Sequence, residues 1–86
     1  MYNLEIEREV FKVFKKFGKK DAPQLEAIRK RVDQILNDPF QFKPLRHPLQ
    51  GLWRVHVGSF VLIYEVCQES NTVRLLKYKH HDEAYL

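Results

Sequence analysis

Residues 52–66 read LWRVHVGSFVLIYEV, and the way this stretch alternates decides the fold. Trp53, Val55 and Val57 take one side of a two-residue period, while Arg54 and His56 take the other. Gly58-Ser59 is a tight turn of the kind that joins antiparallel strands. Residues 60–67, FVLIYEVC, are almost wholly apolar, as a central strand covered on both faces would be. Gln68-Glu69-Ser70-Asn71 makes a second turn. Residues 72–78 form a last strand rich in β-branched and bulky side chains.

Towards the N-terminus the period changes. Tyr2, Leu4 and Ile6 alternate with Asn3, Glu5 and Glu7, which predicts one short strand. Val10, Phe11, Val13, Phe14 and Phe17 then recur at helical spacing, with lysines on the opposite side. Gly18 is the expected stop of this helix, and residues 18–20 the expected link to the next. Asp21 offers a carboxylate cap, Gln24 follows three residues on, and Pro23 is tolerated in a first turn. Leu25, Ile28, Val32, Ile35 and Leu36 form one apolar stripe, which Asn37-Asp38-Pro39 ends. Residues 40–51 carry Pro44, Pro48 and Gly51, show neither period, and are expected to form an ordered basic loop.

The order is therefore β-α-α-β-β-β: an α+β domain of two layers, an antiparallel helix hairpin on a mainly antiparallel sheet. Its 86 residues leave room for a single domain, 1–86. Hydrophobic content of 44% and charged content of 30% exclude a disordered chain. The net charge of +4 and pI near 9.3 favour a polyanion or an acidic partner. The lone Cys67 excludes an internal disulfide and a cysteine-pair metal site. No apolar stretch reaches membrane-spanning length and no signal-peptide core is present, so a cytoplasmic location is expected and no membrane partner.

The residues that could carry chemistry sit on the second half of the chain. Arg54 and His56 share the strand face opposite Trp53, Val55 and Val57. An arginine fork can hold a phosphate through two hydrogen bonds, and an imidazole can give or take a proton near neutrality. The tail KYKHHDEAY, residues 77–85, adds His80, His81 and Tyr85. If it folds across that face, a phosphodiester could lie between the two groups. RNA brings its own 2′-hydroxyl nucleophile, so acid–base side chains and fixed cations suffice without a metal or other cofactor. Tyr85 could stack a base or orient the phosphate. A merely solvated strand face is the plain alternative. His80-His81-Asp82-Glu83 is contiguous, and contiguous residues seldom converge on one tetrahedral ion, so no metal site is expected.

On these residues the chain resembles the RelE/ParE toxin superfamily. The likeness runs through the NDPF stop, the KPL loop, GLWRVHVGSFVLIYEV and the HHDEAY tail, covering nearly the whole chain. It implies a RelE-like fold and a toxin of a type II toxin–antitoxin system. The RelE branch implies an mRNA interferase: a ribosome-dependent endoribonuclease that inhibits translation by cutting mRNA through 2′-hydroxyl attack. Arg54 and His56 match the basic pair of the second strand, His81 falls where an arginine is usual, and Tyr85 matches the terminal tyrosine. Arg54, His56, His81 and Tyr85 are thus the expected catalytic residues, and Lys43, Arg46 and His80 the expected RNA contacts. Val61 stands where an arginine is common, a departure that removes a phosphate-stabilising cation; such a loss commonly costs roughly a hundredfold in rate. The expected partners are the ribosome, mRNA and a cognate RelB-like antitoxin in a hetero-oligomer. The ParE branch implies a DNA gyrase inhibitor without nuclease chemistry, and a toxin fold that has lost its activity is the third reading.

Overall fold

The computed structural model describes residues 1–82. Along them run β1 (Asn3–Ile6), α1 (Arg8–Lys20), α2 (Ala22–Asn37), β2 (Lys43–Pro44), β3 (Leu52–Val57), β4 (Phe60–Cys67) and β5 (Thr72–His80). The strands form one sheet in the order β1-β5-β4-β3-β2. Short turns join β3, β4 and β5, so these three pair antiparallel. β1, cut off from them by the helices, pairs parallel with β5. The two-layer α+β architecture and the order of its elements are those expected from the sequence.

Two local features differ. Helix α1 does not stop at Gly18 but runs on to Lys20. A Cβ built at Gly18 would lie 3.3 Å from Leu25 Cδ2, so the glycine serves close approach of the two helices rather than a turn. The hinge is Asp21 alone. Its N–H donates to the Phe17 carbonyl, closing α1, and its carboxylate accepts from the Gln24 N–H at 3.1 Å, opening α2. Gln24 does not complete the reciprocal cap; its Nε2 donates to the Tyr78 hydroxyl and ties α2 to the sheet. The second difference lies in residues 40–51. Lys43 and Pro44 pair with Arg54 and Trp53 as a two-residue edge strand. Proline is tolerated there because an edge strand needs no ladder donor on its outer side.

The core lies between the layers. Val10, Ile28, Val32 and Ile35 from the helices pack on Val55, Val57, Leu62, Tyr64, Val73, Leu75 and Tyr78 from the sheet. Phe14 and Phe17 set their rings edge-on to Tyr78, at 5.3 and 5.9 Å between centroids. Helix α2 ends at Asn37, as the Asn-Asp-Pro sequence requires. The buried Tyr64 hydroxyl donates to the Pro39 carbonyl at 2.6 Å and fastens that stop to β4. Among the described residues no helix is long and apolar enough to cross a membrane.

Candidate active site

A bulge in β5 decides what the outer face of the sheet carries. Ile63 pairs with Lys77 but Tyr64 pairs with Leu75, so Leu76 is an extra residue without a partner in β4. The extra residue reverses the alternation of β5. Val73 and Leu75 face the helices, and beyond the bulge Tyr78 does so too. Lys77 and Lys79 therefore face outward, beside Ile63 and Val61.

The outer face then reads as rows across the strands. One row is Lys43, Arg54, Ile63 and Lys77; the next is His56, Val61 and Lys79. Adjacent strands lie about 4.8 Å apart, so the Arg54 and Lys77 backbones are separated by roughly 10 Å. Side chains of that length can both reach one phosphate between them. Val61 and Ile63 form the floor. They are buried, and Leu45 and Leu52 pack against them from the loop side. The apolar β4 sequence is thus covered on both faces, on this one by Leu45 and Leu52 among the described residues rather than by a second layer of helices.

Each expected residue can now be placed. Arg54 is half-buried, in the row with Lys43, and His56 is exposed one row on. The His56 carbonyl accepts from Arg31 Nε at 3.1 Å, which satisfies the edge of β3 that the short β2 leaves uncovered. Beside it Lys30, Arg31, Gln34 and His56 help line a shallow cleft of about 370 Å³. Arg46 is exposed on the turn closed by the Leu49 N–H, one residue past Leu45. His81 leaves the end of β5 and binds the β3–β4 turn: its N–H donates to the Ser59 carbonyl at 2.9 Å, and its Nδ1 lies 3.1 Å from the same oxygen. It stands at the end of the face nearest Val61 and His56, whose strands that turn connects. His80 is not brought to this face. It pairs with Phe60, and its ring sits edge-on to the Phe60 ring, which stacks on Tyr78 above the core. Tyr85 lies outside the described residues.

The face is electrically divided. At the β1 end Arg74 is ringed by Glu5, Glu7 and Glu65 at 3.3–4.0 Å. The hydrogen bond to Glu5, followed by the charge of that carboxylate, raises the Arg74 pKa. This cation is neutralised by its own neighbours. Lys43, Arg54, Lys77 and Lys79 occupy the other rows, where β4 presents only valine and isoleucine. The exposed Lys43, Lys77 and Lys79 draw a phosphate to the end that also carries His56 and His81. Several cations and two imidazoles around an apolar floor can hold a phosphodiester, move a proton and stabilise added negative charge.

Sequence reasoning does not single out Lys77 and Lys79: it gives the last strand no faces and ends it at Tyr78. Strict alternation with Val73 and Leu75 would place both lysines on the helix side. A signal was present: Val73 and Leu75 fall on odd positions and Tyr78 on an even one, so two apolar sets of opposite parity meet at Leu75-Leu76. A strand can keep both sets on its core face only by inserting a residue.

The comparisons with known proteins agree with this architecture. Residues 4–85 match the sequence model of a family described as the ParE toxin of type II toxin–antitoxin systems, parDE. A Methanocaldococcus jannaschii protein that carries the toxin name RelE4 is 40% identical over 86 residues, 99% of this chain and 92% of that protein. Among solved structures, the YoeB/ParE toxin from Agrobacterium tumefaciens superposes with a TM-score of 0.82 at 17% identity, over 92% of this chain and 98% of the other. The RelBE2 toxin–antitoxin complex of Mycobacterium tuberculosis gives 0.78 at 23% identity, over 93% and 98%. At such identities the structures establish the shared fold alone. The sequence matches go further, and with them the chain belongs to the RelE/ParE family of toxins of type II toxin–antitoxin systems.

Proposed function

We propose that this toxin is a ribosome-dependent mRNA endoribonuclease that works without a metal, by attack of the RNA 2′-hydroxyl on the adjacent phosphate. The observation that carries the reading is the gathering of Arg54, His56, Lys77 and Lys79 on one face, with His81 at its end. Arg54 and Lys79 hold the scissile phosphate and stabilise its added charge. His56 and His81 exchange protons with the 2′-hydroxyl and the leaving oxygen. Tyr85 stacks on or orients the RNA, and Lys43 and Arg46 extend the cationic rim towards ribosomal RNA. A cognate RelB-like antitoxin is the partner, as in the RelBE2 complex that shares the fold. Induced expression followed by primer-extension mapping of mRNA ends tests the reading. Cleaved mRNA on ribosomes, lost in Arg54→Ala, is expected; intact mRNA in wild-type cells overturns it.

The family description, ParE toxin, favours a second reading. On it the same fold inhibits DNA gyrase and the cationic face has no catalytic role. DNA damage with intact mRNA in the same expression experiment is its signature.

A further inference from the structure

We propose that His80, His81 and Asp82 form a surface site for a divalent transition-metal ion of the zinc type. Where β5 ends, the chain turns back so that one ligand atom from each residue lies within 4.8 Å of the others. The Asp82 carboxylate sits between the rings. Its Oδ1 is 3.0 Å from His81 Nε2, and its Oδ2 is 3.5 Å from His80 Nδ1. A tetrahedral ion with bonds of about 2.0–2.2 Å needs neighbouring ligands roughly 3.3–3.6 Å apart. The Asp82–His80 separation falls in that range, and the Asp82–His81 one is about 0.3 Å short of it. All three ligand atoms lie within 4.8 Å of one another, so side-chain shifts of about 1 Å bring them onto one small ion.

The second contacts of the rings point the same way. His81 Nδ1 lies 3.1 Å from the Ser59 carbonyl, which can only accept, so Nδ1 carries the proton there. Nε2 of the neutral ring is then an unprotonated acceptor aimed at a carboxylate oxygen. Two acceptors at 3.0 Å require a proton or a cation between them. A ligand histidine whose other nitrogen is bound to a backbone carbonyl is the usual support of such a site. His80 Nδ1 accepts a long hydrogen bond from the Asp82 N–H at 3.4 Å, and a metal on that nitrogen takes the same lone pair and replaces this weak contact. Its ring is braced edge-on against Phe60. Two imidazoles and one carboxylate select zinc, copper, nickel or cobalt over magnesium or calcium. All three residues are open to solvent, so water completes the coordination and affinity is modest.

Resting on the nuclease reading, occupancy has a consequence. A metal takes the Nε2 lone pair of His81, and that nitrogen can no longer move a proton for RNA. Zinc then acts as an inhibitor of cleavage, not as a cofactor.

The test uses the tag-free full chain, zinc ions alone in calorimetric titration, and cobalt ions in visible absorption. One ion per chain and a cobalt spectrum typical of mixed nitrogen and oxygen ligands are expected. His81→Ala should remove both signals, Asp82→Asn should weaken zinc binding by about tenfold or more, and His47→Ala should leave it unchanged. Circular dichroism checks that each variant folds. Binding that survives His81→Ala, or the absence of any binding at submillimolar zinc, overturns the proposal. Cleavage assays are a separate arm: a wild-type chain that binds zinc and cuts no mRNA even after a chelator has removed the metal defeats the nuclease reading and leaves the metal site standing.

Discussion

Lys79 of β5 is the cross-strand partner of Val61 in β4, and on the other side of Val61 stands His56. The residue that departs from the RelE-like pattern therefore lies between an imidazole and an ammonium group. Directly opposed side chains in a sheet have Cβ atoms about 5 Å apart. If this face holds the scissile phosphate, as proposed, Lys79 offers from the next strand, past the bulge at Leu76, the cation that β4 lacks.

Lys79→Gln should lower cleavage of ribosome-bound mRNA by about a hundredfold, the usual cost of removing one charge-stabilising donor. Lys79→Arg should retain most of it. The side chain is exposed, so neither change should move thermal stability by more than about 0.5 kcal/mol. Primer extension for cleavage and a melting curve for the fold separate the two effects. Activity of Lys79→Gln equal to wild type would mean that the outer face uses Arg54 without this lysine.

Val61→Arg has a different outcome from the one its sequence position suggests. On sequence alone, the substitution simply restores a cation beside the phosphate. Val61 is fully buried, under a cover that includes Leu45 and Leu52. An arginine must displace that cover or bury its charge, and overpacking alone costs about 1–3 kcal/mol. The expected result is a lower melting temperature, with any gain in cleavage appearing only at reduced stability. Unchanged stability in a folded Val61→Arg variant would show that the loop yields without cost.

Much of this was legible in the sequence, for physical reasons that differ by element. The helix hairpin was legible because Val10, Phe14, Ile28, Val32 and Ile35 keep a helical period and all reach the core cluster. The face shared by Arg54 and His56 followed from strict alternation in β3. Alternation failed in β5, where a bulge changes parity, and Lys77 and Lys79 were hidden with it. Gly18 misled because its lack of a Cβ serves a turn and a close helix contact equally well; only packing tells them apart. The two-residue β2 is too short to show any period. His80 and His81 are adjacent in sequence, but one braces Phe60 while the other binds Ser59, and composition cannot separate those fates.

Phe14→Ala should destabilise the fold by about 3 kcal/mol, the lower end for a large aromatic because Phe14 is only partly buried. Its ring meets Tyr78 edge-on and joins α1 to β5. Chemical denaturation measures the loss. Phe11, which is exposed on the same helix, is the control: Phe11→Ala should change stability by less than about 0.5 kcal/mol. Equal losses for the two would contradict the packing of α1 on the sheet.

The two buried tyrosines make the fold sensitive to alkali. Burial, the largest cause, pushes the Tyr78 pKa up to about 12; the Gln24 hydrogen bond lowers it and the Asp21 charge raises it. Burial also raises the Tyr64 pKa, with a smaller contribution from the Asp38 charge. In the unfolded chain both phenols ionise near 10. Between pH 10 and about 12 the unfolded state therefore releases protons that the folded state keeps at Tyr78. Stability is fully present below the unfolded value and is lost as pH rises towards the folded one. The slope for one such group is about 1.4 kcal/mol per pH unit. Tyr78→Phe gives up the contact with Gln24 and should start less stable, yet it should lose less between about pH 9 and about pH 11 than wild type does. Lysine titration in this window is common to both proteins and cancels in the difference. Urea denaturation of the pair at the two pH values measures it, and parallel losses would remove Tyr78 as the cause.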